Sequence, residues 1–125
     1  MYLLRALQQI ELKKVDLDNL FISFKDLDIR DGTIIHAELF KEAIKPSYKL
    51  KIDFGDLGIL KSSAQIRKNY TIEMLVNFQV IAIVNFPKKQ IANFMSECLV
   101  LGVVQGDSVV LITPNNKIAN GLKIA

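Results

Sequence analysis

Two segments of this sequence carry polar side chains of the kinds that can hold a charged polymer. In the first, residues 61–68, small hydroxyls and an amide lie between cations. Such groups donate hydrogen bonds to phosphate and sugar oxygens and carry no base-sequence information. This segment supplies the candidate backbone contacts Lys61, Ser62, Ser63, Gln65 and Arg67. The alternative is that it forms only the polar outer face of a strand.

The second segment, residues 85–97, combines two aromatic side chains with two adjacent lysines. Aromatic platforms beside a basic groove are a common way to hold a nucleic-acid strand. The further RNA-binding candidates are Asn85, Lys88, Lys89, Asn93 and Ser96. A second interpretation uses the apolar members for adaptable peptide binding, and these are Phe86, Phe94 and Met95. In the third interpretation the phenylalanines are core residues and the lysines form a solvated turn.

The sequence offers no catalytic constellation. His36 is the single histidine and Cys98 the single cysteine, so neither a nucleophile with its base and orienting group nor a set of zinc ligands is evident. No phosphate-binding loop or dinucleotide motif occurs. We therefore expect a binding protein without cofactor or metal, not an enzyme. A single cysteine forms no intrachain disulfide, which fits a reducing compartment, and the expected location is the cytoplasm.

The second half of the chain carries an excess of positive charge, for which a polyanionic partner and solubility are equally good explanations. The formal net charge of the 125 residues is only +3. Residues 57–125, however, contain seven lysines and arginines against three acidic residues. A local excess of this kind can act as an electrostatic footprint for a polyanion, although it also serves solubility.

Hydrophobic patterning predicts an all-β domain. Residues 48–54 alternate strictly, with Tyr48, Leu50, Ile52 and Phe54 on one face. Other strands are predicted at residues 27–37, where Gly32 marks a bend or bulge, and at 59–66, 80–86, 99–103 and 108–112. A short helix over residues 69–75, capped by Thr71, falls between the third and fourth strands. Three strands, then a short helix, then the strand at 80–86 and a last pair at 99–103 and 108–112 are the order expected of a five-stranded OB-fold barrel.

Residues 1–20 differ from the remainder of the chain. Leu3, Leu7, Ile10 and Leu17 are spaced as on one side of a helix, and Lys14 interrupts the stripe. We predict an N-terminal helical extension at residues 1–20, followed by the OB-fold domain at residues 21–125. Because so short a helix is marginal alone in water, it must pack on its own domain or on a second copy.

Six ordered blocks resemble the CsaA-type tRNA-binding domain family. They are residues 27–32, 45–50, 52–55, 61–66, 84–87 and 96–102, and the similarity runs from about Phe24 to the C terminus. The family is related to the tRNA-binding OB domains appended to methionyl- and phenylalanyl-tRNA synthetases. The resemblance implies a homodimer that binds tRNA by shape and backbone charge. It also implies the alternative role of an export-related chaperone that binds unfolded preproteins and the Sec export motor.

The second polar segment departs from the family pattern in several places. Asn85 and Ser96 match residues that recur in the family's binding loop. Lys89 stands where an arginine is usual and Lys88 where a proline is usual, whereas Gln90, Asn93 and Met95 replace a basic residue, a glycine and often a lysine. Since phosphate contacts supply most of the non-specific affinity, the resemblance implies weaker RNA binding than in the relatives.

Overall fold

The computed structural model describes residues 24–125, so the helical extension predicted for residues 1–20 lies outside the described part. Among these described residues there are two short 3-10 helices, at Phe24–Asp26 and Gly55–Leu57, and one α-helix, α1, at Ile72–Leu75. The strands are β1 (Ile29–Leu39), β2 (Tyr48–Asp53), β3 (Ile59–Ala64), β4 (Gln79–Ile83), β5 (Lys89–Ile91), β6 (Phe94–Ser96), β7 (Leu99–Val100), β8 (Gly102–Gln105) and β9 (Ser108–Leu111).

Five of these strands form the main antiparallel sheet, in the order β3-β2-β1-β4-β7. The long β1 joins its halves, because its first residues pair with β4 and its last residues pair with β2. The register between β1 and β2 shifts at Ile35, which places the bulge three residues after Gly32. Gly32 instead allows a close approach: an added Cβ would lie 2.7 Å from side-chain atoms of Ile52 and Phe54.

The alternation predicted for residues 48–54 is confirmed. Tyr48, Leu50, Ile52 and Phe54 are all buried and belong to one core cluster. Fully burying such a side chain stabilises the fold by roughly 1.5–3 kcal/mol relative to exposure. The hydroxyl of Tyr48 donates a hydrogen bond of 2.7 Å to the carbonyl of Tyr70, so its polar end is satisfied inside the barrel.

The central strand is β4, all of whose residues are buried, as the apolar run at residues 80–86 predicts. Val80 and Ala82 face the barrel core, whereas Ile81 and Ile83 join a second cluster outside it with Ile29. Helix α1 lies between β3 and β4 and is capped by Thr71, whose hydroxyl accepts from the amide of Met74 at 3.3 Å. It is shorter than predicted.

Polar side chains close the barrel between β3 and residues 96–98. The amide of Glu97 donates to the carbonyl of Lys61 at 2.8 Å, and the Glu97 carboxylate accepts from the Lys61 amide at 2.9 Å. Ser62 Oγ donates to the Cys98 carbonyl, and Ser96 Oγ accepts from the Ser63 amide. The result is an all-β, nearly closed five-stranded barrel of the OB type, to which the hairpins β5–β6 and β8–β9 are added.

The C-terminal tail is fixed to β1 by a buried polar network. Asp31 is fully buried, and its carboxylate accepts from the Leu122 amide at 2.8 Å. The Gln79 side chain exchanges two hydrogen bonds with the backbone of Ile118. At Gly121 (φ 84°) a Cβ would lie 2.1 Å from the carbonyl oxygen of Phe54. Close to the end of the tail, an isolated antiparallel bridge pairs Arg30 with Lys123.

Candidate nucleic-acid interface

The outer face of β2 and β3 presents a group of lysines. Because the odd-numbered residues of β2 point away from the core, Lys49 and Lys51 lie on this face. In the β2–β3 register, Lys51 pairs with Lys61 and Lys49 pairs with Ser63. Side chains directly opposite on one face are about 5 Å apart at Cβ, so this register places three cations in one small area.

The neighbouring strand β1 extends the lysine face into two rows across the sheet. His36 pairs with Lys51, which continues the row to Lys61. Glu38 pairs with Lys49, which continues the second row to Ser63. Glu38 also lies 3.9 Å from His36 Nε2, so the acidic group is at one end of the face and the β2–β3 half remains cationic.

Phe94 on β6 lies beside two of these ammonium groups. Lys61 Nζ is 5.3 Å and Lys49 Nζ is 5.7 Å from the centre of its ring. Phe40 packs edge-on against Phe94 at 5.4 Å between centroids and also has Lys49 Nζ over its ring, at 4.9 Å. Cation–π contacts of this kind hold the two lysines beside an aromatic ring, a combination suited to stacking and phosphate contacts.

Acidic side chains lie beside Lys49 of this lysine face and beside the neighbouring Lys88. Glu97 Oε2 is 3.6 Å from Lys88 Nζ, while its other oxygen is engaged by the Lys61 amide. Glu42 Oε2 is 3.7 Å from Lys49 Nζ. Such partly exposed pairs contribute little to stability, about 0–1 kcal/mol, and they compete weakly with a phosphate for the same ammonium group.

The structure divides the first polar segment between the surface and the interior. Lys61 and Ser63 are half-buried on the lysine face, and Gln65 and Arg67 are exposed beyond it. Ser62 is only 1% exposed and points into the barrel, so its hydroxyl closes the barrel and does not reach a surface ligand.

At the end of that segment, Lys68 turns toward the β8–β9 hairpin. Its ammonium group pairs with the carboxylate of Asp107 and lowers the pKa of that group. Next to it, the side-chain amide of Asn69 donates to the Val109 carbonyl at 3.0 Å. Lys68 is therefore engaged on a different part of the surface from the lysine face.

The second polar segment contains a hairpin that the sequence analysis does not predict. Strands β5 and β6 pair through Lys89 with Ser96 and Ile91 with Phe94, so Ala92 and Asn93 form the turn. Ser96 is 1% exposed and bonded to Ser63, which brings the hairpin against β3. The two polar segments therefore adjoin, with Lys88 and the half-buried Lys89 at the start of the hairpin.

Asn85 has a different neighbourhood from the hairpin residues. Its carbonyl oxygen accepts from the Asp28 amide at 2.9 Å, and its amide donates to the Asp26 carbonyl at 2.8 Å. Asn85 thus fixes the chain that enters β1. The second asparagine of this segment, Asn93, is exposed in the turn of the hairpin.

The apolar residues considered for peptide binding do not form one open patch. Phe86 is buried, at 9% exposure, and packs in the cluster with Ile83 and Leu99. Phe94 lies half-buried between the lysines and Phe40, and Met95 is half-buried on β6. The structure therefore assigns Phe86 to the core and leaves Phe94 and Met95 on the hairpin.

Sequence reasoning missed Lys49 and Lys51, which lie at the centre of the lysine face. Their signal was present, because strict alternation over residues 48–54 places both lysines on the outer side. The alternation does not show which residues of a neighbouring strand lie opposite these lysines. The register that sets Lys51 opposite Lys61 depends on the fold of the turn at Gly55–Leu57.

The single histidine and the single cysteine have different surroundings. His36 is exposed on the outer face of β1. Cys98 is buried, and desolvation raises the pKa of its thiol to about 12, which disfavours a thiolate. Within residues 24–125, no group of three or more histidine, cysteine and acidic side chains could hold a metal ion. No helix in the same range is long and apolar enough to cross a membrane.

Comparison with solved structures places the chain among CsaA proteins. The crystal structure of the chaperone CsaA from Bacillus anthracis superimposes with a TM-score of 0.78 at 51% identity, covering 84% of this chain and 99% of that one. The CsaA chaperone protein from Picrophilus torridus gives a TM-score of 0.76 at 54% identity, covering 84% of this chain and all of the other.

Sequence comparison leads to the same domain. A methionine–tRNA ligase from Pyrococcus abyssi is 30% identical over 124 residues, which is 96% of this chain but only 17% of the ligase. The model of the family described as "Putative tRNA binding domain" matches residues 29–123. That match includes the barrel, the lysine face and the fixed C-terminal tail, and the chain belongs to this tRNA-binding domain family.

Proposed function

We propose that the chain is a non-catalytic, cytoplasmic tRNA-binding protein that acts as a homodimer and recognises tRNA by shape and backbone charge. The observation that carries the proposal is the lysine face, where Lys49, Lys51 and Lys61 share the outer side of β2 and β3. The ammonium groups of Lys49 and Lys61 lie over the ring of Phe94 on β6. In OB folds this surface, with the adjoining loops, is the usual site for oligonucleotides.

The lysine face lowers the stability of the free protein through charge repulsion, and a bound polyanion removes this repulsion. Like charges directly opposite in a sheet destabilise it, and Lys51 and Lys61 are such a pair. A phosphate group placed between them removes the repulsion and releases counterions from the RNA. The same face offers few groups with which to read base edges, so backbone charge and shape carry the recognition.

The test is tRNA binding across a salt series with the double variant Lys51→Gln and Lys61→Gln. Loss of two phosphate contacts lowers the slope of log affinity against log salt by about 0.7–0.9 per contact, or about 1.4–1.8 in total. The matched control is Lys117→Gln with Lys123→Gln, which removes the same charge from exposed positions on the C-terminal tail. The control is expected to keep most of the wild-type slope.

Two results would overturn the RNA proposal. One is the absence of tRNA binding by the wild type at low salt. The other is an equal loss of slope in the lysine-face variant and in the tail control. Recognition by shape is tested by competition, in which an unstructured RNA of the same length should displace the tRNA less effectively than a second folded tRNA.

The homodimer is supported by an apolar pair on the β8–β9 hairpin. Val103 and Val110 are directly opposed, and both are exposed, at 59% and 43%. Exposed apolar side chains that lie together on a hairpin are candidates for a contact between protein surfaces. We expect Val103→Glu to convert a dimer into a monomer in sedimentation equilibrium. A monomeric wild type at cellular concentrations would exclude the dimer.

A second candidate function is that of a CsaA-like chaperone that binds unfolded preproteins and the Sec motor. The supporting observation is the similarity to two CsaA chaperones at 51% and 54% identity over nearly their whole length. Met95 and Phe94 supply the adaptable apolar contacts. The wild type should suppress aggregation of a denatured client, and Met95→Glu should weaken this; an inactive wild type would remove this candidate.

A further inference from the structure

A β-bulge in β1 decides which side chains of this strand reach the outer surface. Ile34 and Ala37 are both buried in the barrel core, although residues three positions apart lie on opposite faces of a regular strand. The extra residue is Ile35, because the register with β2 shifts there and the next pair joins His36 to Lys51. Ile35 and His36 are consequently both exposed. Bulges that re-aim a side chain in this way are over-represented beside functional sites.

The bulge places His36 at the end of a row of cations on the lysine face. His36 pairs with Lys51 on β2, and Lys51 pairs with Lys61 on β3. Adjacent strands are about 4.8 Å apart, so the whole row is about 10 Å long. This length equals the Debye length of about 10 Å in 0.1 M salt, and the three side chains therefore act together on one segment of a polyanion.

The surroundings of His36 leave its ring open to a ligand. Its side chain is 53% exposed, and Glu38 Oε1 lies 3.9 Å from Nε2, which is too long for a hydrogen bond. The other charged neighbour is Lys51, directly across the strand pair. Helix α1 also packs against β1, and its charged side chain, Glu73, is exposed and forms no ion pair with His36 within residues 24–125. Both ring nitrogens can therefore donate to a phosphate when the imidazole is protonated.

We propose that His36 is a phosphate contact of the lysine face that acts only in its protonated form, so that RNA affinity rises as the pH falls from 8 to 6. The inference rests on the proposed RNA function of this face. Histidine is the side chain whose charge ordinarily changes between pH 5 and 8. Protonation adds a third positive charge to the row of Lys51 and Lys61, of which Glu38 offsets a part. A bound phosphate stabilises the imidazolium, so RNA binding takes up a proton.

The test is tRNA binding at pH 8 and at pH 6, each across a salt series. The wild type should bind about two- to fivefold more tightly at pH 6, as expected for one further exposed ion pair. The slope of log affinity against log salt should steepen by about 0.7–0.9, the value for one phosphate contact. His36→Gln should keep the affinity measured at pH 8 and lose the gain at pH 6. His36→Lys should bind at pH 8 as tightly as the wild type binds at pH 6.

The matched control moves the histidine to the C-terminal tail, by combining His36→Gln with Asn116→His. Asn116 is exposed, and His36 is the single histidine of the chain, so this variant contains the same types of titratable group as the wild type. The amino terminus also titrates near pH 8, but it is common to all the variants. The control should not recover the gain in affinity at pH 6.

The outcomes separate the role of His36 from the RNA function itself. An equal gain at pH 6 in the wild type and in His36→Gln would overturn the role of His36. The same holds if the tail histidine restores the gain, or if His36→Lys binds no more tightly than the wild type at pH 8. Wild-type binding that depends on Lys51 and Lys61 but not on pH refutes this inference and leaves the proposed function intact. Absence of binding at both pH values refutes the proposed function.

Discussion

The cross-strand pair Lys51 and Lys61 should make the protein less stable while it makes RNA binding tighter. The two lysines are direct partners in the β2–β3 ladder, and Lys49 lies one pair further along the same face. Replacing Lys51 by glutamine removes the repulsion but keeps a side chain of similar reach. We expect Lys51→Gln to raise the free energy of unfolding and to weaken tRNA binding.

The magnitude follows from the geometry of the pair. Opposed like charges on one face of an antiparallel ladder cost roughly 0.2–1 kcal/mol, and we expect a gain of about 0.5 kcal/mol in low salt. With a urea m-value of about 1.5 kcal/mol per molar, this gain shifts the midpoint by about 0.3 M. In 1 M salt the Debye length is only about 3 Å, so the gain should nearly disappear.

The assay is urea unfolding of the wild type and Lys51→Gln at low salt and at 1 M salt, paired with tRNA titration at low salt. Lys45→Gln is the control, because Lys45 is an exposed lysine on the loop before β2. If Lys51 only supported the fold, its substitution would lower the free energy of unfolding of the protein. If Lys51→Gln lowers stability and leaves tRNA affinity unchanged, the assignment of the lysine face to RNA is refuted.

Three further predictions concern stability and reactivity. Asp31→Ala removes a buried carboxylate, which leaves the Leu122 amide without its acceptor and weakens the Gln79 network, and it should cost about 2–3 kcal/mol in urea unfolding. Ala92→Gly relieves a left-handed turn residue (φ 51°) and should raise the free energy of unfolding by about 0.5–1 kcal/mol. Cys98, with the pKa of its thiol raised to about 12, should not react with a disulfide reagent at pH 8 until the protein unfolds. Burial raises the pKa of this thiol above its ordinary value of 9.0, so the folded state binds the proton more tightly than the unfolded state. The free energy of unfolding therefore keeps its full value below pH 9 and falls as the pH rises from 9 toward 12.

Each of these predictions has a clear contrary result. If Asp31→Ala had the same free energy of unfolding as the exposed control Asp56→Ala, the buried carboxylate of Asp31 would not be what fixes the tail. A destabilised Ala92→Gly would mean that the turn does not need the left-handed conformation. Rapid labelling of Cys98 in the native protein would place its thiol at the surface.

The sequence predicts the barrel well because its strands carry strong local signals. Strict alternation from Tyr48 to Phe54 predicts a strand with one buried face, and the apolar run around Val80 predicts a strand buried on both faces. The structure confirms both strands. Thr71 caps the helix as its residue type predicts. The hairpin β5–β6 is missed because its strands have three residues each and its turn contains Ala92 and no glycine.

The site is predicted only in part because it depends on strand pairing. Ser62 looks equivalent to Ser63 in sequence, yet one serine closes the barrel and the other lies on the lysine face. Phe86 and Phe94 look like a pair of platforms, yet only Phe94 leaves the core. Pairing register, and not composition, decides which of these side chains a ligand can reach.

The most direct test of the lysine face is titration of the isotopically labelled protein with tRNA, followed by amide chemical shifts. We predict the largest changes on β2, β3 and β6, at Lys49, Lys51, Lys61 and Phe94, and small changes on the C-terminal tail around Lys117. Changes confined to the tail or to the β8–β9 hairpin, with β2 and β3 unaffected at saturation, would contradict the central claim.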